Sequence, residues 1–172
     1  MTTVLVTGPI GGGKSSVCHY LEAKGYPVYE CDSRCKGLYE SVPGLKSRIE
    51  AGLGIPFGQL GEVFKSPVKL AQLEGIVYPL LVADIEAWKA AVAGEVAFIE
   101  SAVALGKPGF GHLWDKVLMV SAPASVRRRR NSKAAERDAL QKFDDKQIDF
   151  LIVNDSDFES LFAKVDIFIE SL

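Results

Sequence analysis

Residues 8 to 16 read GPIGGGKSS, and Gly8, Gly13, Lys14 and Ser15 satisfy the spacing G-x-x-x-x-G-K-[ST]. Residues of these types at this spacing can capture a chain of phosphates. Gly11, Gly12 and Gly13 carry no side chain, so successive N–H groups are free to turn toward a common centre. Lys14 supplies a cation for the β and γ phosphates, Ser15 a hydroxyl for magnesium, and Ser16 completes the binding stretch. A helix opening near Lys14 adds the positive end of its dipole. The stretch is expected to bind a nucleoside triphosphate; the alternative is a glycine-rich turn with a chance lysine and serine.

A carboxylate follows in VYECDSRCKG. Asp32 comes just after an apolar stretch that reads as a strand, and ligands of open parallel sheets lie at the carboxyl edge of the strands. A hydroxyl acceptor must lose its proton during phosphoryl transfer, and a carboxylate within hydrogen-bond reach orients it and takes that proton. An acceptor that is already a phosphate needs no such base. Asp32 thus points to a hydroxyl acceptor, or it caps a helix beginning near Ser33, or it does both. Neither an N-K-x-D nor a D-x-x-G motif occurs, which favours a kinase over a GTPase.

Two further groups bear on the same chemistry. Glu100 closes VAFIE and is either a carboxylate that reaches magnesium through water or an exposed strand end; Glu30 is a weaker case. Arg127 to Arg130 are consecutive and cannot share one helix face, so some are solvated. Arg130 and Arg137 are the candidates for a lid that closes over the phosphates, against the alternative of a solvated basic helix. Nucleic-acid binding is not expected, because no aromatic residues interleave the arginines and the formal net charge is −2.

These residues need elements to position them. TVLVT has the β-branched, apolar character of a strand buried on both faces. Lys14 to Lys24 reads as a helix ending at Gly25, and PVYE as a second strand. From Ser33 to Gly94 the pattern is helical, broken at VPG, GIPFGQLG and KSP, with the longest helix through YPLLVADIEAWKAAVA. EVAFIES, DKVLMVSAP and DFLIVND restore short strands, and DFESLFAKVDIFIES is an amphipathic closing helix. The alternation predicts an α/β fold of about five parallel strands with helices on both faces.

Bulk properties narrow the classes. At 172 residues, 48% hydrophobic and 24% charged, the chain suits one globular domain with an inserted helical lobe. No apolar run approaches a membrane span and no secretory signal is visible, so the cytoplasm is the expected compartment. Cys18, Cys31 and Cys35 are too few and too irregular for a disulfide framework, and with His19 and His112 they make a poor zinc set. Nothing in the pattern specifies an oligomeric state.

The order of these motifs resembles the dephospho-CoA kinase family. VTGPIGGGKSSV is similar to the family's opening phosphate loop, and GYPVYECD to its segment ending in Asp-Ala-Asp. LWDKVLMVSAPASVRRRR resembles its strand and arginine helix, and IDFLIVNDSDFESL its closing strand, Asn and helix. The resemblance implies a P-loop NTPase three-layer fold, with a core at 1–32, 95–129 and 146–172, a helical acceptor-side region at 33–94, and a short lid at about 130–145. It implies ATP and Mg2+ as the phosphoryl donor and dephospho-CoA as the small-molecule acceptor, phosphorylated on its ribose 3′-hydroxyl. Asp32 stands at the catalytic aspartate and Lys36 where a basic residue is usual. There are departures: Glu30 replaces the first Asp, Tyr78 of YPLL stands where His-Pro is usual, and ESAVALGKPGFG replaces the family's Pro-Leu-Leu stretch. A shikimate-type kinase and a non-catalytic ATP-binding regulatory domain are the competing readings; the Gly-Gly-Gly of a shikimate acceptor site is absent.

Overall fold

The computed structural model describes residues 1–135, 143 and 145–172. These fall into two compact units, Met1–Glu30 with Ala91–Leu172, and Cys31–Ala90.

The first unit is built on β1 (Thr2–Thr7), β2 (Val28–Glu30), β3 (Val96–Glu100), β4 (Lys116–Ser121) and β5 (Phe150–Val153). All pair in parallel, in the order β2-β3-β1-β4-β5, as the alternating pattern predicts. β1 is therefore central, with Val4 opposite Phe98 on one side and Lys116 on the other. Side chains alternate across a strand, so Val4 and Val6 face one way with Phe98, Leu118, Val120 and Ile152. Against that face pack α1 (Lys14–Ala23), through Val17, Cys18 and Leu21, and the closing helix, through Leu161, Val165 and Phe168. Removing each such side chain from water contributes about 1.5–3 kcal/mol. Leu5, Ala97 and Ile99, on the opposite face, are buried as well. A strand covered on both sides has no polar face to show, which is why TVLVT reads as a continuous apolar run.

Between β4 and β5 comes α5 (Ala124–Arg130), and α6 (Phe158–Glu170) closes the chain. Asp157 caps α6 by accepting from the Ser160 amide at 2.8 Å. Lys24, just after α1, and Tyr20 of α1 both donate to Asp166 of α6, at 2.7 and 2.9 Å, and hold its carboxyl below its ordinary range.

The second unit consists of α2 (Cys31–Ser41), α3 (Leu45–Leu53), a 3₁₀ run (Phe57–Lys65) kinked at Gln59, and α4 (Pro67–Ala91). Two expectations need correction here. GIPFGQLG is not a plain break, since most of it forms the 3₁₀ run. The longest helix does run through YPLLVADIEAWKA, and it starts at Pro67: proline is accepted at a first helical position, where its missing N–H has no intrahelical partner to lose. The apolar positions Leu73, Val77, Leu81 and Ile85 keep one buried stripe running through the internal Pro79. Finally, α2 starts at Cys31 rather than near Ser33. The Arg34 guanidinium clamps α2 to α4 by a two-pronged pair with Asp84, at 3.0 and 3.1 Å.

Candidate nucleotide site

β1 ends at Thr7, and residues 8–13 return over the carboxyl edge of the sheet into α1. Two glycines are required there by space, and the first of them by backbone as well. Gly8 has φ +139°, and a Cβ on it would collide with the Val120 carbonyl at the end of β4; a Cβ on Gly12 would stand 2.6 Å from that same oxygen. Gly13, with φ +109°, is the N-cap of α1 and has no side chain with which to cap it. The first-turn amides at Lys14, Ser15 and Ser16 thus open the helix without a side-chain cap, the arrangement that suits an anion.

Lys14 is buried and folds back along the loop, its Nζ donating to the carbonyls of Gly8 at 3.0 Å and Pro9 at 3.3 Å. Arg130, the last residue of α5, donates from Nη1 to the Gly11 carbonyl at 3.2 Å. Of its neighbours, Arg127 is buried and donates from Nε to Ala122 O at 3.0 Å, while Arg128 and Arg129 are exposed. The run therefore divides into one arginine that holds the fold, two in solvent and one on the loop. Arg137, and half of the expected lid, lie outside the described residues.

Glu100 ends β3 as the register partner of Val6 on β1 and of Glu30 on β2. Register partners share a sheet face, so two carboxylates stand side by side, Glu100 one strand and Glu30 two strands away from β1. The Cys18 thiol reports their field. It is pushed well up by burial, then by Glu100 and Glu30, with Lys14 opposing. His19 Nε2 lies 4.0 Å from Glu30 Oε1. Ser15 is exposed, and its hydroxyl and the Glu100 carboxylate are of the hard oxygen donor type that Mg2+ takes. Ser101, next to Glu100, is committed elsewhere: its Oγ accepts from the amides of Ala104 at 3.1 Å and Val103 at 3.3 Å.

In the second unit Asp32 lies inside the first turn of α2, so it is not the N-cap that a helix starting near Ser33 would make it. A carboxylate there still complements the helix dipole. The carboxylate is 93% exposed, and its ion pair is with Lys36 one turn on, at 3.8 Å. Tyr78, on α4, donates its hydroxyl to Glu74 Oε1 at 2.9 Å; burial, and then that bond, push the phenol well above its ordinary range.

One residue at the loop was given no role from the sequence. Asn154, just past β5, is buried and donates from Nδ2 to the Gly12 carbonyl at 3.1 Å. Its signals were the Asn in the closing-strand resemblance and its place, a polar amide directly after an apolar strand at the ligand edge of the sheet. The structure thus gathers Gly8, Gly11, Gly12, Gly13, Lys14, Ser15, Ser16 and Arg130 in the first unit, and pairs Asp32 with Lys36 in the second.

Known proteins agree with this architecture. The family model described as Dephospho-CoA kinase matches residues 2–150. The dephospho-CoA kinase of Porphyromonas gingivalis is 34% identical over 76% of this chain and 68% of its own. That of Mesorhizobium japonicum is 31% identical over 100% and 97% of the two chains. A solved structure from Thermus thermophilus, 23% identical, covers 99% of this chain and 97% of its own with a TM-score of 0.82, and so shares the fold. A phosphate loop floored by β4, in a chain whose likeness to these relatives runs nearly end to end, places this protein in the dephospho-CoA kinase family.

Proposed function

We propose that the chain transfers the γ phosphate of MgATP to the ribose 3′-hydroxyl of dephospho-CoA, giving CoA and ADP, the last step of coenzyme A synthesis. Family membership carries the acceptor. The nucleotide half is supported by one observation above the others: Gly8 and Gly13 sit in backbone and space that only glycine fits, immediately before an uncapped helix start and a buried lysine.

In this reading the amides of residues 11–16 hold the phosphates, and Lys14 leaves the Gly8 and Pro9 carbonyls for the β and γ oxygens. Ser15 would hold magnesium through its hydroxyl, and Glu100 would hold it through water. Asp32 orients the 3′-hydroxyl and accepts its proton as the oxygen attacks phosphorus, while the β–γ bridging oxygen leaves with ADP. Lys36 and Tyr78 contact the acceptor, and Arg130 with Arg137 lay guanidinium groups on the transferring phosphoryl. Magnesium draws charge from the phosphate oxygens when bound. The three free thiols fit a reducing compartment, and among the described residues no helix is long and apolar enough to cross a membrane; the reading assigns the reaction to the cytoplasm. The shikimate-type and regulatory alternatives have no support comparable to the family match.

The test is an ADP-release assay with MgATP and dephospho-CoA, the product weighed for one added phosphoryl group, with shikimate run in parallel. CoA formation with negligible shikimate turnover is expected. ATP binding without turnover of dephospho-CoA would overturn the reading.

A further inference from the structure

Four loop carbonyls accept hydrogen bonds from groups around them. Lys14 donates to Gly8 and Pro9, Arg130 to Gly11, and Asn154 to Gly12. Lys14 and Arg130 are cations, for which a phosphate is a stronger acceptor than a carbonyl, so both contacts exchange when a nucleotide arrives. Asn154 is neutral and has no such reason to leave. It is also fixed at its root, since its backbone amide donates to Ser121 O at 2.7 Å, and it is 95% buried, with 5% of its surface exposed.

The side-chain amide lies against Gly13 as well: a Cβ there would collide with Nδ2. It therefore braces the Gly12–Gly13 peptide. No peptide bond in the described chain is cis. In a planar trans peptide the C=O and the following N–H point in opposite directions. With the Gly12 carbonyl turned to Asn154, the Gly13 N–H is turned away from it.

We infer that Asn154 is a positioning residue for phosphate binding: it aims the Gly13 N–H at the nucleotide by holding the Gly12 carbonyl, without touching the nucleotide itself. The inference rests on the phosphate-loop reading and deepens it. It ties the segment after β5 to the geometry of a loop that follows β1.

Asn154→Asp keeps the shape but replaces the NH2 donor by an oxygen that repels the Gly12 carbonyl. Asn154→Ala removes the brace. For each folded variant, checked by circular dichroism, KM for MgATP should rise about tenfold or more, the worth of a hydrogen bond to a charged group. KM for dephospho-CoA should stay within about twofold. In ¹⁵N-labelled wild-type protein, ADP should move the Gly13 amide proton downfield and leave the Asn154 side-chain amide in place; in the variants the Gly13 shift should shrink. The wild-type measurement decides even if the variants do not fold, because movement of the Asn154 amide on adding ADP, or a static Gly13, would overturn the inference.

Lys14→Ala, run beside them, separates the two claims. If it impairs use of MgATP while the Asn154 variants behave as wild type, the inference fails and the phosphate loop stands. If Lys14→Ala uses MgATP normally, the loop assignment fails and takes the inference with it.

Discussion

Arg130 Nη1 and the Gly11 carbonyl lie 3.2 Å apart, so the end of α5 is joined to the phosphate loop by a bond that a phosphate oxygen can take over. Arg130→Ala should lower kcat/KM for MgATP by about tenfold to a hundredfold, the range for losing a charge-assisted contact. Arg130→Lys should recover only part of the loss, because an ammonium keeps the charge and loses the planar fork. Steady-state kinetics at varied MgATP measure both; wild-type values for Arg130→Ala would leave Arg130 as a structural tie.

Asp32 carries the proton in the proposed reaction. Asp32→Asn should cut kcat by about 10²- to 10⁴-fold, the usual contribution of a general base, while ATP binding survives. Titration of ATP by calorimetry alongside single-turnover assays separates the two. Near-normal turnover would remove Asp32 as base.

Gly8 packs on the Val120 carbonyl with φ +139°, so Gly8→Ala meets a clash and a backbone penalty together. It should lose about 2–4 kcal/mol of stability in urea denaturation, well beyond an ordinary surface change. Gly37, which has open space around its missing Cβ and lies within α2, is the control. Gly37→Ala should be neutral or stabilising.

The Cys18 thiol is pushed up by burial and by Glu100 and Glu30, and only the thiolate is a nucleophile. In folded protein at pH 8, iodoacetamide should therefore leave Cys18 unmodified. Buried Cys31 should also be spared, and half-buried Cys35, itself pushed up by burial, should react first and faster as pH rises. Peptide mass spectrometry reads the order; in urea all three should label alike.

The elements that follow one physical rule were legible without coordinates. β1 is β-branched or leucine at every position because it is buried on both faces, and α1 stops just before Gly25, where the chain takes φ +91°. The phosphate loop was legible because its chemistry forces residue type at fixed spacing. The start of α4 was not: Pro67 can open a helix or follow one, and only the tertiary stripe from Leu73 to Ile85 shows which. The α2 start was missed by two residues, and with it the distinction between an Asp that caps and one that sits in the first turn. Asn154 was hidden for another reason. Its partner, Gly12, lies at the far end of the sequence, and a brace between a side chain and a backbone carbonyl leaves no spacing pattern to read.

β1 lies at the centre of the sheet, and its two neighbours begin only at Val96 and Lys116. On a ribosome the glycine loop therefore leaves the exit tunnel long before the carbonyl of Val120 that floors it has been made. Helices of the second unit can close on local contacts in the meantime, whereas the sheet must wait for long-range pairing. A nascent chain stopped before β4 carries every residue of the loop motif but not the strand that floors it, so ATP cannot act as a folding ligand until β4 has been made and has left the tunnel. The glycine loop is among the last parts of the enzyme to take its working shape.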